Sequence, residues 1–238
     1  MSIRQIFLDT ETTGLDPQKG HRLIEVAAVE LIDRRFTGNH FHYYVNPERA
    51  VDKEAQQVHG ISTEFLKDKP LFANIAKELW AYLGGAELII HNAPFDLGFL
   101  NHEFQQLGEN FIKVEEYCSI LDTLVMARQK HRGAKNNLDA LCKRYEIDIS
   151  ERTLHGALLD AQLLGKVYLA MTSGQMDLLG ALQESAKESF NSLTTKVQTM
   201  DSTLSVLEKP QKIIRATAEE LQIYKAYREK LGLPELPM

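Results

Sequence analysis

The chain has 238 residues, of which 44% are hydrophobic and 25% charged, an ordinary balance for a protein that buries a sizeable core. Its formal charge of −6 argues against long-range electrostatic capture of a nucleic acid, so any such contact must be local, metal-assisted or partner-assisted. Cys118 and Cys142 form no C-x-x-C pair, which argues against a disulfide scaffold or zinc knuckle. With no leader pattern and no run of about 18 apolar residues, a cytoplasmic protein without membrane attachment is expected.

Residues 3–9, 22–32 and 40–46 are rich in Ile, Val, Phe and Tyr and are separated by Gly, Asp, Pro and Asn, which predicts three hairpin-linked strands. The first runs into IFLDTETTG at 6–14, where Asp9 and Glu11, two apart on a strand, project to one face. Adjoining carboxylates repel unless a proton or cation lies between them, and oxygen ligands of this kind suit Mg²⁺ or Mn²⁺. A D-x-E pattern alone is common, as Asp52-Lys53-Glu54 shows. Asp9 and Glu11 differ by closing an apolar strand, where unpaired charge is costly.

Phe72, Ile75, Ala76, Leu79, Trp80 and Leu83 recur at helical spacing before Gly84-Gly85, and residues 87–91 read as a strand. Next comes HNAPFD at 91–96, with Pro94 suited to a helix start; Asn92 and Asp96 are either caps of that helix or parts of a site. Helices are predicted over about 95–107, 120–130, 137–145 and 156–171, so the whole reads as an α/β protein with a mixed, helix-covered sheet. In LHGALLDA at 154–161, His155 and Asp160 are about 140° apart on a helix and cannot share one face. If both serve one site, His155 must sit on the entry loop while Asp160 points inward. Four acids and a histidine, each at an element boundary, describe a two-metal hydrolytic site, with the histidine suited to take a proton from water near neutral pH.

Beyond residues 172–174 the composition turns polar. Residues 184–209 read equally as a linker or as an amphipathic helix that needs a partner. Residues 213–231 suggest a short strand, a threonine cap and a helix, too small to fold alone.

Taken together, Asp9 and Glu11 in D-x-E, Asp96 in N-x-x-F-D, and His155 and Asp160 in H-x4-D resemble the DEDDh 3′–5′ exonuclease family. Over residues 3–175, the stretches VHGIS at 58–62, NNLDALCKRYEI at 136–147 and RTLHGALLDAQLL at 152–164 are similar to its proofreading branch in bacterial replication. The resemblance implies a ribonuclease H-like fold with a five-stranded mixed sheet flanked by helices and a flexible C-terminal tail. It implies two divalent ions, Mg²⁺ or Mn²⁺, the tighter held by Asp9, Glu11 and Asp160, with Asp9 also touching the second, Asp96 assisting there, and His155 as general base. Thr12 and Gly14 would lie against the terminal nucleotide beside Asp9, Glu11 and Asp160. Glu54, Val58 and His59 would line its sugar and base pocket, while Asn92 and Phe95 flank the scissile side; by its residue type alone, His59 reads equally as a capping or core histidine.

The same resemblance divides the chain into an exonuclease domain at 1–174, a clamp-binding motif with linker or helix at 175–209, and a polymerase-subunit-binding segment at 210–238. Gln175, Met176, Asp177, Leu178 and Leu179 are similar to the short segment by which replication proteins bind the sliding clamp. The expected partners are a single-stranded or frayed DNA 3′ end, the catalytic polymerase subunit and the clamp; a small theta-like subunit is left open. The expected activity is removal of mispaired terminal nucleotides, against the alternatives of an exoribonuclease or a catalytically silent polymerase–clamp scaffold.

Overall fold

The computed structural model describes residues 3–108, 111–150, 152 and 154–173. The clamp-like motif at 175–179 and the segments 184–209 and 210–238 lie outside the described residues.

Five strands form one sheet in the order β3-β2-β1-β4-β5: β1 Arg4–Thr12, β2 Leu23–Ile32, β3 Arg35–Tyr44, β4 Glu87–Ile90 and β5 Ser119–Asp122. The first three pair antiparallel, as expected for hairpins, while β4 and β5 run parallel to β1. β1 is central, with helices on both faces, so its apolar stretch Ile6-Phe7-Leu8 is fully buried.

Side chains alternate along β1. Ile6 and Leu8 join a core with helices α3 (Phe72–Leu83) and α4 (Ala93–Gln106). Phe7 joins the opposite core with α7 (Leu138–Arg144) and with α8, the helix over residues 157–173. This parity, carried along the strand, sends Asp9 and Glu11 toward the α8 face and Thr10 toward the α4 face.

The ladder explains where the acids stand. Pairing of β1 with β4 ends at Leu8↔Ile90, whereas pairing with β2 continues past Asp9↔Ala27 to Glu11↔Glu25. Asp9 and Glu11 therefore stand beyond the end of β4, at the mouth of a cleft.

Several expectations are corrected. The third strand begins at Arg35 instead of near 40. Two short helices, α1 (Lys53–His59) and α2 (Thr63–Leu66), fill a stretch with no expected element, and α5 (Val114–Tyr117) likewise precedes β5. The expected helix at 120–130 is divided into β5 and α6 (Thr123–Lys130), because Asp122 ends the strand and caps the helix by accepting from Leu124 N and Val125 N. Asp122 also accepts from the backbone N–H groups of Asn92 and Ala93, which ties the turn after β4 to β5. No helix among the described residues is long and apolar enough to cross a membrane.

Candidate active site

Asp9, Glu11, Asp96, His155 and Asp160 meet at the edge where the parallel strands end. Asp96 lies in the first turn of α4, only 3% exposed, and accepts a 2.7 Å hydrogen bond from Thr10 Oγ1. It is a buried acid beside Asp9 and not a solvent-facing cap; Asn92 occupies the N-cap position but makes no side-chain capping bond. His155 precedes α8 on a loop, as the angular argument requires, and its backbone N–H donates to Val58 O at 3.2 Å. Asp160, 3% exposed, sits one turn into α8, its N–H bonded to Gly156 O at 2.9 Å. Glu11, His155 and Asp160 each place one ligand atom within 4.8 Å of the others, which makes them a candidate metal-binding trio.

The electrostatics fit a cation. Asp9 is pushed well above the usual carboxylate range by burial, then by Asp96, Glu11 and Asp160. Burial, then Glu25 and Asp160, push Glu11 up to about 8. Burial pushes Asp96 up to about 7 against the hydrogen bond from Thr10. Burial would raise Asp160 too, but hydrogen bonds from His155 and Arg152 outweigh it and leave this acid below its usual range. Carboxylates held at such cost and supplemented by one imidazole form a hard donor set of the kind Mg²⁺ and Mn²⁺ take.

A stability consequence follows. Without metal the folded chain retains protons on Glu11 and Asp96 that the unfolded chain loses near 4.5 and 3.8. Folding stability should therefore fall as pH rises from about 5 to 8, since the native state binds more protons over that window. The melting temperature of EDTA-treated protein is expected to drop across it, and added Mn²⁺ to restore most at the alkaline end; a flat profile would contradict the raised acids.

Two further residues shape the site and escaped the sequence reading. Arg152 Nε donates to Asp160 Oδ1 at 2.5 Å and its NH2 to Asp160 Oδ2 at 2.7 Å; the same NH2 lies 2.9 Å from His155 Nδ1, and NH1 pairs with Asp139. This guanidinium is a built-in cation against the acids. Glu25, 2% exposed, faces Glu11 across the ladder, accepts from Ala157 N at 3.2 Å and pairs with His42 at 2.7 Å, so it ties β2 and β3 to the start of α8. One of two acids inside the otherwise apolar LIEVAAVELI, Glu25 is the one opposite Glu11, and that placement was the available signal.

A cavity of about 580 Å³ opens beside the acids, lined among others by Glu11, Thr12, Gly14, Glu54, Val58, His59 and Phe95. Seven of the expected substrate residues thus share one space, whereas Asn92 lies on a second cleft. Gly14 has a local reason to be glycine, because a Cβ there would collide with the His21 imidazole. His59 is 6% exposed, and its Nδ1 accepts from Ile61 N at 3.0 Å, so Nε2 carries the hydrogen and has no partner among the described residues. Burial holds its pKa below the ordinary value, which keeps it neutral.

A mixed α/β sheet with a buried carboxylate cluster at the ends of its parallel strands defines a hydrolase of the exonuclease class. The chain belongs to the exonuclease family, whose model, described as "Exonuclease", matches residues 6–168. Its similarity to the epsilon subunits of DNA polymerase III runs nearly end to end. That of Rickettsia typhi is 49% identical over 97% of this chain and 97% of its own length, and that of Escherichia coli K12 48% over 94% and 91%. That of Salmonella typhimurium is 55% identical over 76% of each. Among solved structures, exonuclease X in complex with 5′ overhanging duplex DNA matches at a TM-score of 0.54 and 25% identity, over 72% of this chain and 92% of that one. The zinc-bound E. coli exonuclease I complex with single-stranded DNA matches at 0.64 and 20%, over 76% and 43%, a likeness of fold.

Proposed function

We propose that the protein is a 3′–5′ DNA exonuclease that proofreads in the cytoplasm as the epsilon subunit of DNA polymerase III, releasing deoxynucleoside monophosphates. The observation that carries this reading is the convergence of Asp9, Glu11, Asp96, Asp160 and His155 at one sheet edge, beside a cavity of about 580 Å³. Asp9, Glu11 and Asp160 would hold the tighter of two divalent ions, with Asp9 and Asp96 serving the second. When bound, such ions neutralise the phosphodiester and acidify a water.

The remaining steps belong to side chains. His155 takes the proton of the attacking water: once Nδ1–H turns to donate to Asp160, 3.2 Å away, in place of its 2.9 Å contact with Arg152 NH2, Nε2 is bare for it. Asp160 is thereby both ligand and orienting partner. Thr12, Gly14, Glu54, Val58 and Phe95 enclose the terminal nucleotide, and His59 Nε2–H donates to its sugar oxygens. A buried donor without a partner gains a hydrogen bond when substrate arrives. His59→Phe is accordingly expected to raise KM for a single-stranded oligonucleotide about tenfold with kcat little changed; steady-state kinetics would show otherwise by a loss confined to kcat.

A mispaired end separates more readily and so reaches the cleft more often, which supplies selectivity without reading the base. Residues 210–238 would tether the nuclease to the alpha subunit and residues 175–179 to the sliding clamp, raising its effective concentration at the primer end. Digestion of matched, mispaired and RNA-ended primers with Mg²⁺ or EDTA tests the reading. Mispaired DNA should be digested fastest, only with metal. Preference for RNA ends would point to an exoribonuclease, and no digestion to a scaffold.

A further inference from the structure

The formal charge of −6 poses a question that the carboxylate cluster sharpens: something must hold a polyanion beside these acids. A second cleft of about 670 Å³ adjoins the catalytic edge, lined by His91, Asn92, Arg128, Arg132, Asn136 and Asn137 among others. Its place follows from topology. β4 and β5 are parallel neighbours, so the turn after β4 and the helix after β5 meet at the same edge. Asn92, which lines the cleft, is also the N-cap of α4, the helix that carries Asp96, and holds a left-handed backbone with φ of 69°.

The cleft is locally basic in an acidic protein. No acid occurs between Asp122 and Asp139, and that interval contains Arg128, Lys130, Arg132 and Lys135. Arg128 and Arg132 are exposed, and neither guanidinium is ion-paired among the described residues. The loop that presents them is built. Buried Asn136 donates to His131 O at 3.2 Å and to Ala134 O at 3.0 Å, and Arg144 donates to Asn136 Oδ1 and Lys135 O. Arginine forks and amide N–H groups match phosphate oxygens, and the lining offers no Phe, Tyr or Trp on which a base could stack.

We propose that this cleft grips the phosphodiester backbone of the strand being digested, on the 5′ side of the scissile bond, with Arg128 and Arg132 each engaging one phosphate. The inference rests on the exonuclease reading. It makes the grip independent of sequence, as removal of any mispaired nucleotide requires.

The test compares the full chain with its Arg128→Gln, Arg132→Gln double variant on two substrates in Mg²⁺. One is a single-stranded oligonucleotide; the other is the 4-nitrophenyl ester of thymidine 5′-monophosphate, which has no upstream strand. The ester should be cleaved equally by both proteins. For the oligonucleotide, KM should rise about tenfold at low salt, and the slope of log kcat/KM against log salt should become shallower by about 1.4, roughly 0.7 for each phosphate. Arg35→Gln with Lys77→Gln, which removes two exposed cations at the far end of the sheet and on α3, should change neither. An unchanged oligonucleotide KM and slope in the double variant, or an equal loss on the ester, would overturn the backbone grip. A wild-type chain that cleaves neither substrate would instead overturn the exonuclease reading beneath it.

Discussion

Asp9→Asn is expected to reduce kcat on a single-stranded oligonucleotide by about 10³-fold, the equivalent of about 4 kcal/mol of lost transition-state stabilisation. The same change should raise the melting temperature of the metal-free protein. Both effects have one origin. Asp9 is half-buried among Asp96, Glu11 and Asp160, and its charge is disfavoured first by burial and then by those three carboxylates. Asn keeps the shape and removes the repulsion, so the fold gains what metal binding loses. A purely structural Asp9 would show the opposite pattern, a lower melting temperature with activity that returns in proportion to folded protein. Thermal unfolding in EDTA, set beside the rate in Mg²⁺, separates the two.

His155→Ala is expected to cost about 10²- to 10³-fold in kcat with little change in KM, the range ordinary for a positioned general base. The side chain is 45% exposed and sits on a loop, so its removal should leave the core and the melting temperature close to wild type. Arg152 tests the same geometry from the other side. In the metal-free protein its guanidinium lies against both Asp160 and His155 Nδ1, and a nitrogen that accepts from Arg152 cannot also donate to Asp160. Arg152→Gln should therefore weaken metal-free stability while sparing kcat far more than His155→Ala does. Equal losses of kcat in the two variants would argue that His155 only helps to hold the loop.

The clustered acids were legible in the sequence because each stands near an element boundary: Asp9 and Glu11 past the apolar core of β1, Asp96 in the first turn of α4, and Asp160 one turn into α8. Alternation along a strand and rotation along a helix then placed them correctly on faces. What was not legible depends on which elements meet. Glu25 gains its place only because β2 pairs with β1 and its carboxylate also reaches the start of α8. Arg152 matters only once the loop before α8 folds onto Asp160 and Asp139. β5 was missed because four residues, Ser119–Asp122, carry too little periodicity to separate from the helix that follows without a break. Asn92 was assigned to the scissile side by resemblance; that it lines a cleft whose basic wall comes from α6 and the loop after it is a meeting that chain order does not reveal.

The most direct test is a time course on 5′-labelled single-stranded DNA with the wild-type chain and Asp160→Ala, each in Mg²⁺ and in EDTA. The expected result is a ladder that shortens one nucleotide at a time from the 3′ end and releases deoxynucleoside monophosphates, seen only with wild type and only with Mg²⁺. Internal cuts, shortening in EDTA, or an undiminished ladder with Asp160→Ala would contradict a single metal-dependent exonuclease site built from Asp9, Glu11, Asp96, His155 and Asp160.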